Sequence, residues 1–170
     1  MSFQTIESPF TETEIEIEAE RLLSRLMHVE CDSRRTWNID ACREIAPLTL
    51  EINQLKEEKG AVILAHSYVE PEIIYGVADH MGDSYSLSLK AKEANAKKIV
   101  FAGVVFMAET AKILSPDAEV LAPDRNSGCS LADSLSGEQL RELKAAYPDA
   151  GVVCYINSTA EVKAECDVCV

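Results

Sequence analysis

Basic charge is scarce in this sequence. Its 170 residues carry 16 Lys and Arg against 29 Asp and Glu, a net charge of −13. Nucleic acid and anionic membranes are held by basic patches, so neither is expected as the main partner. No apolar run approaches the roughly 20 residues of a spanning helix. No basic segment followed by an apolar one stands at the N-terminus, so no signal peptide is read and the expected compartment is the cytoplasm. Neither G-x-G-x-x-G nor a P-loop occurs, which leaves a nucleotide-binding reading without a motif. A second CxxC and an HxxxH are missing too, so the pair Cys166–Cys169 lacks the partners a zinc site needs.

What is there is an ordinary globular balance, 47% hydrophobic and 26% charged. Such a chain can bury a real core and amounts to one domain, or one and part of another. Much of the acid sits early, in "ESPFTETEIEIEAE". The six cysteines are Cys31, Cys42, Cys129, Cys154, Cys166 and Cys169. Without a secretion signal they read as reduced thiols or metal ligands rather than disulfides.

Met1–Phe10 reads as a leader. Apolar residues at Ile15, Ile17, Leu22, Leu23 and Leu26 fit an amphipathic helix from Glu12 to Met27. Residues 30–46 are polar and mixed. A helix is expected from Pro47 or Thr49 to Lys59, stopped by Gly60. Then strands and helices alternate. "AVILAHS" (61–67), "KKIVFAG" (97–103), "EVLAP" (119–123) and "GVVCYIN" (151–157) are apolar runs expected as buried strands. Helices are expected over 71–82, 83–95, 106–115, 136–148 and 158–165. Ser136 with Gln139, and Ser158 with Glu161, form capping-box patterns. "CDVCV" (166–170) reads as a strand just starting, so a fragment is expected. The alternation predicts a three-layer αβα class with a parallel sheet, preceded by N-terminal helices.

Ligands of open parallel sheets gather at the carboxyl ends of the strands. The polar residues there include His66 and Tyr68 after the first strand, Glu109 after the second, Cys129 after the third, and Tyr155 and Asn157 after the fourth. His66 can donate to a carboxylate or move a proton, or it can be a structural histidine. Tyr68 offers a hydroxyl or simple packing. Asp83 or Ser84 begins a helix whose free N–H groups suit an anion, and plain capping explains them equally. Tyr155 and Asn157 share a face by period two, with capping and core packing as the alternative. Cys129 follows Gly128, which permits a tight turn, and can be a ligand, a nucleophile or a buried thiol. Cys166 and Cys169 have CxxC spacing, open to zinc or redox chemistry, yet they straddle a helix end and a strand start.

Together, "ILAHSYVEPEI", "ADHMGDS", "IVFAGVVFMAETAKIL", "VLAPDRNSGCSLADS" and "YINSTAEVKAECD" resemble the quinolinate synthase family, from about Gly60 to Val170. The resemblance implies an enzyme, a transferase of NAD biosynthesis, condensing iminosuccinate with dihydroxyacetone phosphate to give quinolinate. It implies an L-aspartate oxidase or dehydrogenase as the upstream supplier of iminosuccinate. It implies a [4Fe-4S] cluster held by three cysteines, whose open iron acts as a Lewis acid. The implied architecture is three pseudo-repeated αβα domains, with residues 60–135 as the first, 136–170 as the start of the second, and 1–59 as leader and helices. By motif, Cys129 matches a cluster ligand. His66, Ser84, Tyr155, Ile156 and Asn157 match substrate contacts, and Tyr68 and His66 match catalytic positions. The family's other two cluster cysteines have no counterpart here, so this chain by itself is expected to be inactive. Two readings outside the family stand beside it: a non-catalytic αβα module, and a thiol or zinc protein built on Cys166 and Cys169.

Overall fold

The computed structural model describes residues 8–29 and 36–170. Most of the expected leader lies outside the described residues, as does Cys31. The chain divides into two compact units, Met1–Lys59 with Glu70–Val77, and Gly60–Val69 with Ala78–Val170.

The first unit is helical. Thr11 opens α1 (Glu12–Leu26) with a full capping box, its Oγ1 accepting from Glu14 N–H at 3.3 Å while the Glu14 carboxylate takes Thr11 N–H at 2.7 Å. Ala19, Leu22 and Leu26 are fully buried along one stripe. The next helix, α2 (Ile39–Lys59), begins well before the expected start and carries Pro47 inside it. Two causes outweigh the proline's missing donor. Asn38 Oδ1 caps the true start by accepting from Ala41 N–H at 2.9 Å. Cys42, Ala46 and Thr49 then form one buried stripe that runs across the proline. The short α3 (Pro71–Gly76) stops where the sequence predicts a helix to 82. Gly76 explains part of the stop. A Cβ there would sit 3.1 Å from Thr49 Cγ2. Its carbonyl is also engaged, by Arg21 at 2.9 Å and Asn53 at 3.2 Å.

The second unit holds the sheet. Its strands are β1 (Ala61–His66), β2 (His80–Gly82), β3 (Lys98–Ala102) and β4 (Glu119–Leu121), all parallel in the order β2-β1-β3-β4. β2 replaces the end of the helix expected over 71–82. Asp79 makes the difference: its Oδ2 accepts from Ile63 N–H at 2.8 Å and its own N–H reaches Ile63 O at 2.9 Å, starting the ladder beside β1. Ile63, Leu64 and Ala65 are buried in succession, as in a strand covered on both faces. Two helices follow the strands, α4 (Ser84–Ala94) and α5 (Val105–Leu114). Leu87 and Ala91 of α4 and Phe106, Met107 and Ala111 of α5 pack with Leu64, Ile99 and Phe101 into one core. Helices with an all-parallel sheet are the α/β class that the alternation predicts.

After β4, α6 (Gly137–Ala146) starts on the expected Ser136–Gln139 capping box. The strand expected over 151–157 shrinks to β5 (Val153–Cys154), which pairs in parallel with β6 (Val168–Cys169) in a separate two-stranded sheet. Between them lies α7 (Ala160–Glu165). Its cap is Thr159 rather than Ser158, with Thr159 Oγ1 accepting from Val162 N–H at 3.4 Å. Among the described residues no helix is long and apolar enough to cross a membrane.

Candidate active site

Because the strands of the large sheet are parallel, β1 and β2 end at the same edge, with His66 opposite Gly82. The chain turns sharply there. Val69 N–H returns to His66 O at 3.0 Å and Ser67 N–H to Gly82 O at 3.0 Å. The turn folds Tyr68 back onto His66, with ring centroids 3.9 Å apart. Continuing the strand would also have aligned the two residues, but the turn does it by stacking.

Gly82 packs close to α4: a Cβ there would press on Ser86 Oγ, which would have to turn away. Asp83 caps α4, its Oδ1 accepting from Ser86 N–H at 2.7 Å. That bond, seconded by the Ser86 hydroxyl and Tyr85, holds the Asp83 carboxyl below the usual range. Ser84 follows at the first helical position and is buried.

A pocket of about 400 Å³ opens at this edge. His66, Asp83, Ser84 and Tyr85 line one side; Tyr155, Ile156, Asn157 and Val170 line the other. Burial pushes the His66 imidazole down, against the opposing pull of the Asp83 carboxylate. His66 is therefore neutral at pH 7. Its Nδ1 accepts from Tyr68 N–H at 3.4 Å, which leaves the ring proton on Nε2, free to donate. Asn157 Oδ1 is buried and has no hydrogen-bond partner. A buried polar atom without a partner costs about 1–3 kcal/mol, so an incoming donor at this position recovers that cost.

The 155–159 segment is anchored from α5. Glu109 Oε2 accepts from Ala160 N–H, at the start of α7, at 2.8 Å. Lys163 Nζ donates to Thr110 Oγ1 at 2.6 Å and to Ser158 O at 2.8 Å, and stands 5.9 Å from the Phe106 ring centre. Burial pushes the Lys163 ammonium down, and Cys169, Cys154 and Glu109 oppose it. Lys163 carries no sequence signal; the Thr110 hydroxyl that it binds lies 53 residues away.

Five expected site residues, His66, Ser84, Tyr155, Ile156 and Asn157, share this pocket, and Tyr68 and Cys129 do not line it. Tyr68 reaches the other way, its hydroxyl 4.0 Å from Met107 Sδ. Burial holds its phenol above the ordinary value, with Val104 N–H pulling against this and the nearby Cys129 thiol adding to it. Tyr68 thus links the His66 pocket to the Cys129 loop. That loop is built on backbone turns: Asp124 Oδ1 takes Asn126 N–H at 2.8 Å, and Gly128 N–H reaches Asn126 O at 2.8 Å. Asp133 Oδ2 accepts from Cys129 N–H at 3.1 Å, and a Cβ on Gly128 would lie 2.9 Å from the same oxygen. Cys129 is half-buried against the core.

Among the described residues, no three His, Cys, Asp or Glu side chains are grouped to hold a metal ion. Iron–sulfur clusters need three or four protein ligands. Among the described residues, the donor set around Cys129 does not meet that need. Cys154, Cys166 and Cys169 lie around the small sheet.

The chain is similar to several curated quinolinate synthases. That of Caulobacter vibrioides is 54% identical over 124 residues, covering 73% of this chain and 34% of that protein. One from a Mycobacterium species is 60% identical over 119 residues, covering 70% of this chain and 35% of the relative. That of Aquifex aeolicus is 52% identical over 127 residues, covering 75% and 39%. The chain therefore spans little more than a third of the length of the curated relatives it matches. The family model described as "NadA: Quinolinate synthetase A protein" matches residues 50–170, and the chain belongs to that family, the quinolinate synthases.

Proposed function

We propose that this chain supplies the His66–Asn157 half-site of a quinolinate synthase. On this reading residues 60–135 are a first αβα domain and residues 136–170 open a second, pseudo-repeated one. The reaction condenses iminosuccinate, supplied by an L-aspartate oxidase or dehydrogenase, with dihydroxyacetone phosphate. The product is quinolinate, on the cytoplasmic route to NAD. The observation that carries the reading is the one pocket that His66, Ser84 and Asn157 line together, with an unpartnered buried Asn157 oxygen, in a chain of this family.

Iminosuccinate is a dicarboxylate bearing an imine N–H. The pocket offers matching groups. Neutral His66 donates through Nε2, Ser84 offers a hydroxyl, and Asn157 Oδ1 accepts from the imine. Tyr68, its ring stacked on His66 and its hydroxyl on the Met107 side, is assigned the family's proton-transfer role at the edge of this pocket. Cys129 is one of three thiolates for a [4Fe-4S] cluster whose other two come from outside this chain. When bound, that cluster supplies Lewis acidity.

The test is anaerobic reconstitution of the 170-residue chain with iron and sulfide, followed by iron counting and a quinolinate assay. No stoichiometric cluster and no turnover are expected. Full cluster occupancy with turnover would show that the chain is sufficient alone. Titration with quinolinate tests the pocket separately. Weak binding is expected, falling about tenfold in His66→Ala through loss of one buried bond to a quinolinate carboxylate. Unchanged binding in Asn157→Ala and His66→Ala would remove the pocket assignment.

A further inference from the structure

Cys154 and Cys169 are direct register partners in the parallel β5–β6 pair. Register partners project their side chains to the same face, on strands about 4.8 Å apart. That separation falls within the Cα span, roughly 4.4–6.8 Å, that a disulfide bridges. The Cys154 thiol lies close to both Cys169 and Cys166. Backbone bonds hold the pairing on both sides: Val170 N–H reaches Cys154 O at 2.9 Å, and Ile156 N–H reaches Val170 O at 2.6 Å. Cys154 is buried and Cys169 exposed, so one sulfur meets an incoming reagent and the other waits behind it. Cys166 also lies near Cys154, but its thiol donates to Val162 O at 3.0 Å and it has no strand partner in the β5–β6 register. Burial pushes both the Cys154 and Cys169 thiols up, while the Lys163 ammonium pulls both toward thiolate.

We propose that Cys154 and Cys169 are a redox pair, closed into a disulfide by low-molecular-weight disulfides of the oxidised-glutathione class. The Cys169 thiolate attacks one sulfur of the small disulfide, breaking its S–S bond and expelling one small thiolate. The Cys154 thiolate then attacks Cys169 Sγ, forming the internal S–S bond and expelling the second. The two protein thiols release two protons and the two small thiolates take them up. The protein loses two electrons and the small disulfide gains them. The bond closes immediately before Tyr155 and Val170, both of which line the His66 pocket.

The reduced 170-residue chain is treated anaerobically with oxidised glutathione over a range of pH. The expected product has lost the mass of two hydrogens, and forms faster as pH rises because both thiols are held up. Cleavage both after Lys163 and before Asp167 puts Cys154, Cys166 and Cys169 on three separate peptides and maps the link to Cys154–Cys169. Cys166→Ser should still close the bond. Cys169→Ser should not, and Cys154→Ser should stop at a glutathione adduct on Cys169. A link through Cys166 or Cys129, a lasting adduct on the wild-type chain, or no reaction overturns the proposal. The wild-type map alone decides the matter should a variant fail to fold.

Discussion

His66 takes its chemistry from where β1 stops. One residue earlier it would be core, and one later it would be turn. Burial keeps its imidazole neutral, so in the folded state it gains a proton at lower pH than in the unfolded chain. An anionic ligand in the pocket reverses this pull, and binding then takes up a proton. Quinolinate affinity should accordingly increase as pH falls from 8 toward 6, and the increase should vanish in His66→Gln. Calorimetric titrations at several pH values measure it; an unchanged slope in the variant would place the proton uptake elsewhere. The position of His66 was legible because "AVILA" makes a buried strand that must end at a polar residue. The back-folding of Tyr68 was not, since two backbone bonds in the turn decide it. Asn157 was legible as a strand-end residue, but its lone unpartnered oxygen depends on which neighbours fail to reach it.

The elements that sequence reasoning misjudged were decided by partners distant in sequence. "HMG" has no strand signature of its own and becomes β2 because β1 offers it a ladder. The start of α2 was hidden by a proline that a continuous buried stripe overrides. Helix α7 is too short to stand alone, at six residues. It is held by Glu109 at its first N–H and by Lys163 reaching back to α5. Lys163→Met should therefore cost about 1–3 kcal/mol and speed hydrogen exchange over residues 155–160, leaving the β1 and β3 amides protected. Exchange that rises uniformly across the chain would mean that the lysine supports the whole unit rather than this segment.

At the scale of the whole molecule, the acidic composition is organised rather than merely repulsive. Several carboxylates are held below their ordinary range: Glu14 by Thr11, Glu16 by Arg43, Asp83 by Ser86 and Glu93 by Lys90. Glu18 is buried, which works against its charge, but bonds from Arg21 and Thr49 outweigh the burial. Each such group binds its proton more readily in the unfolded chain. Their contribution is complete above the ordinary carboxylate value of 4.5 and is lost as pH falls through the lower folded values. Thermal unfolding followed across pH 7 to 3 should show the melting temperature dropping steeply below that point. Glu18→Gln should lower stability by about 1–3 kcal/mol at pH 7 and flatten part of the drop. Fold class and family were legible at this scale, because alternating apolar runs and ordered motifs survive in a chain spanning about a third of its relatives. The sheet order carries one further consequence, for kinetics. Every pairing among the described strands is parallel: Leu64 meets His80, Ala61 meets Lys98, Lys98 meets Glu119 and Val153 meets Val168. No hairpin exists to nucleate any of them. Each ladder must wait for an intervening segment to be ordered first, so this chain should fold slowly for its size, with loop closure rather than local turn formation setting the rate.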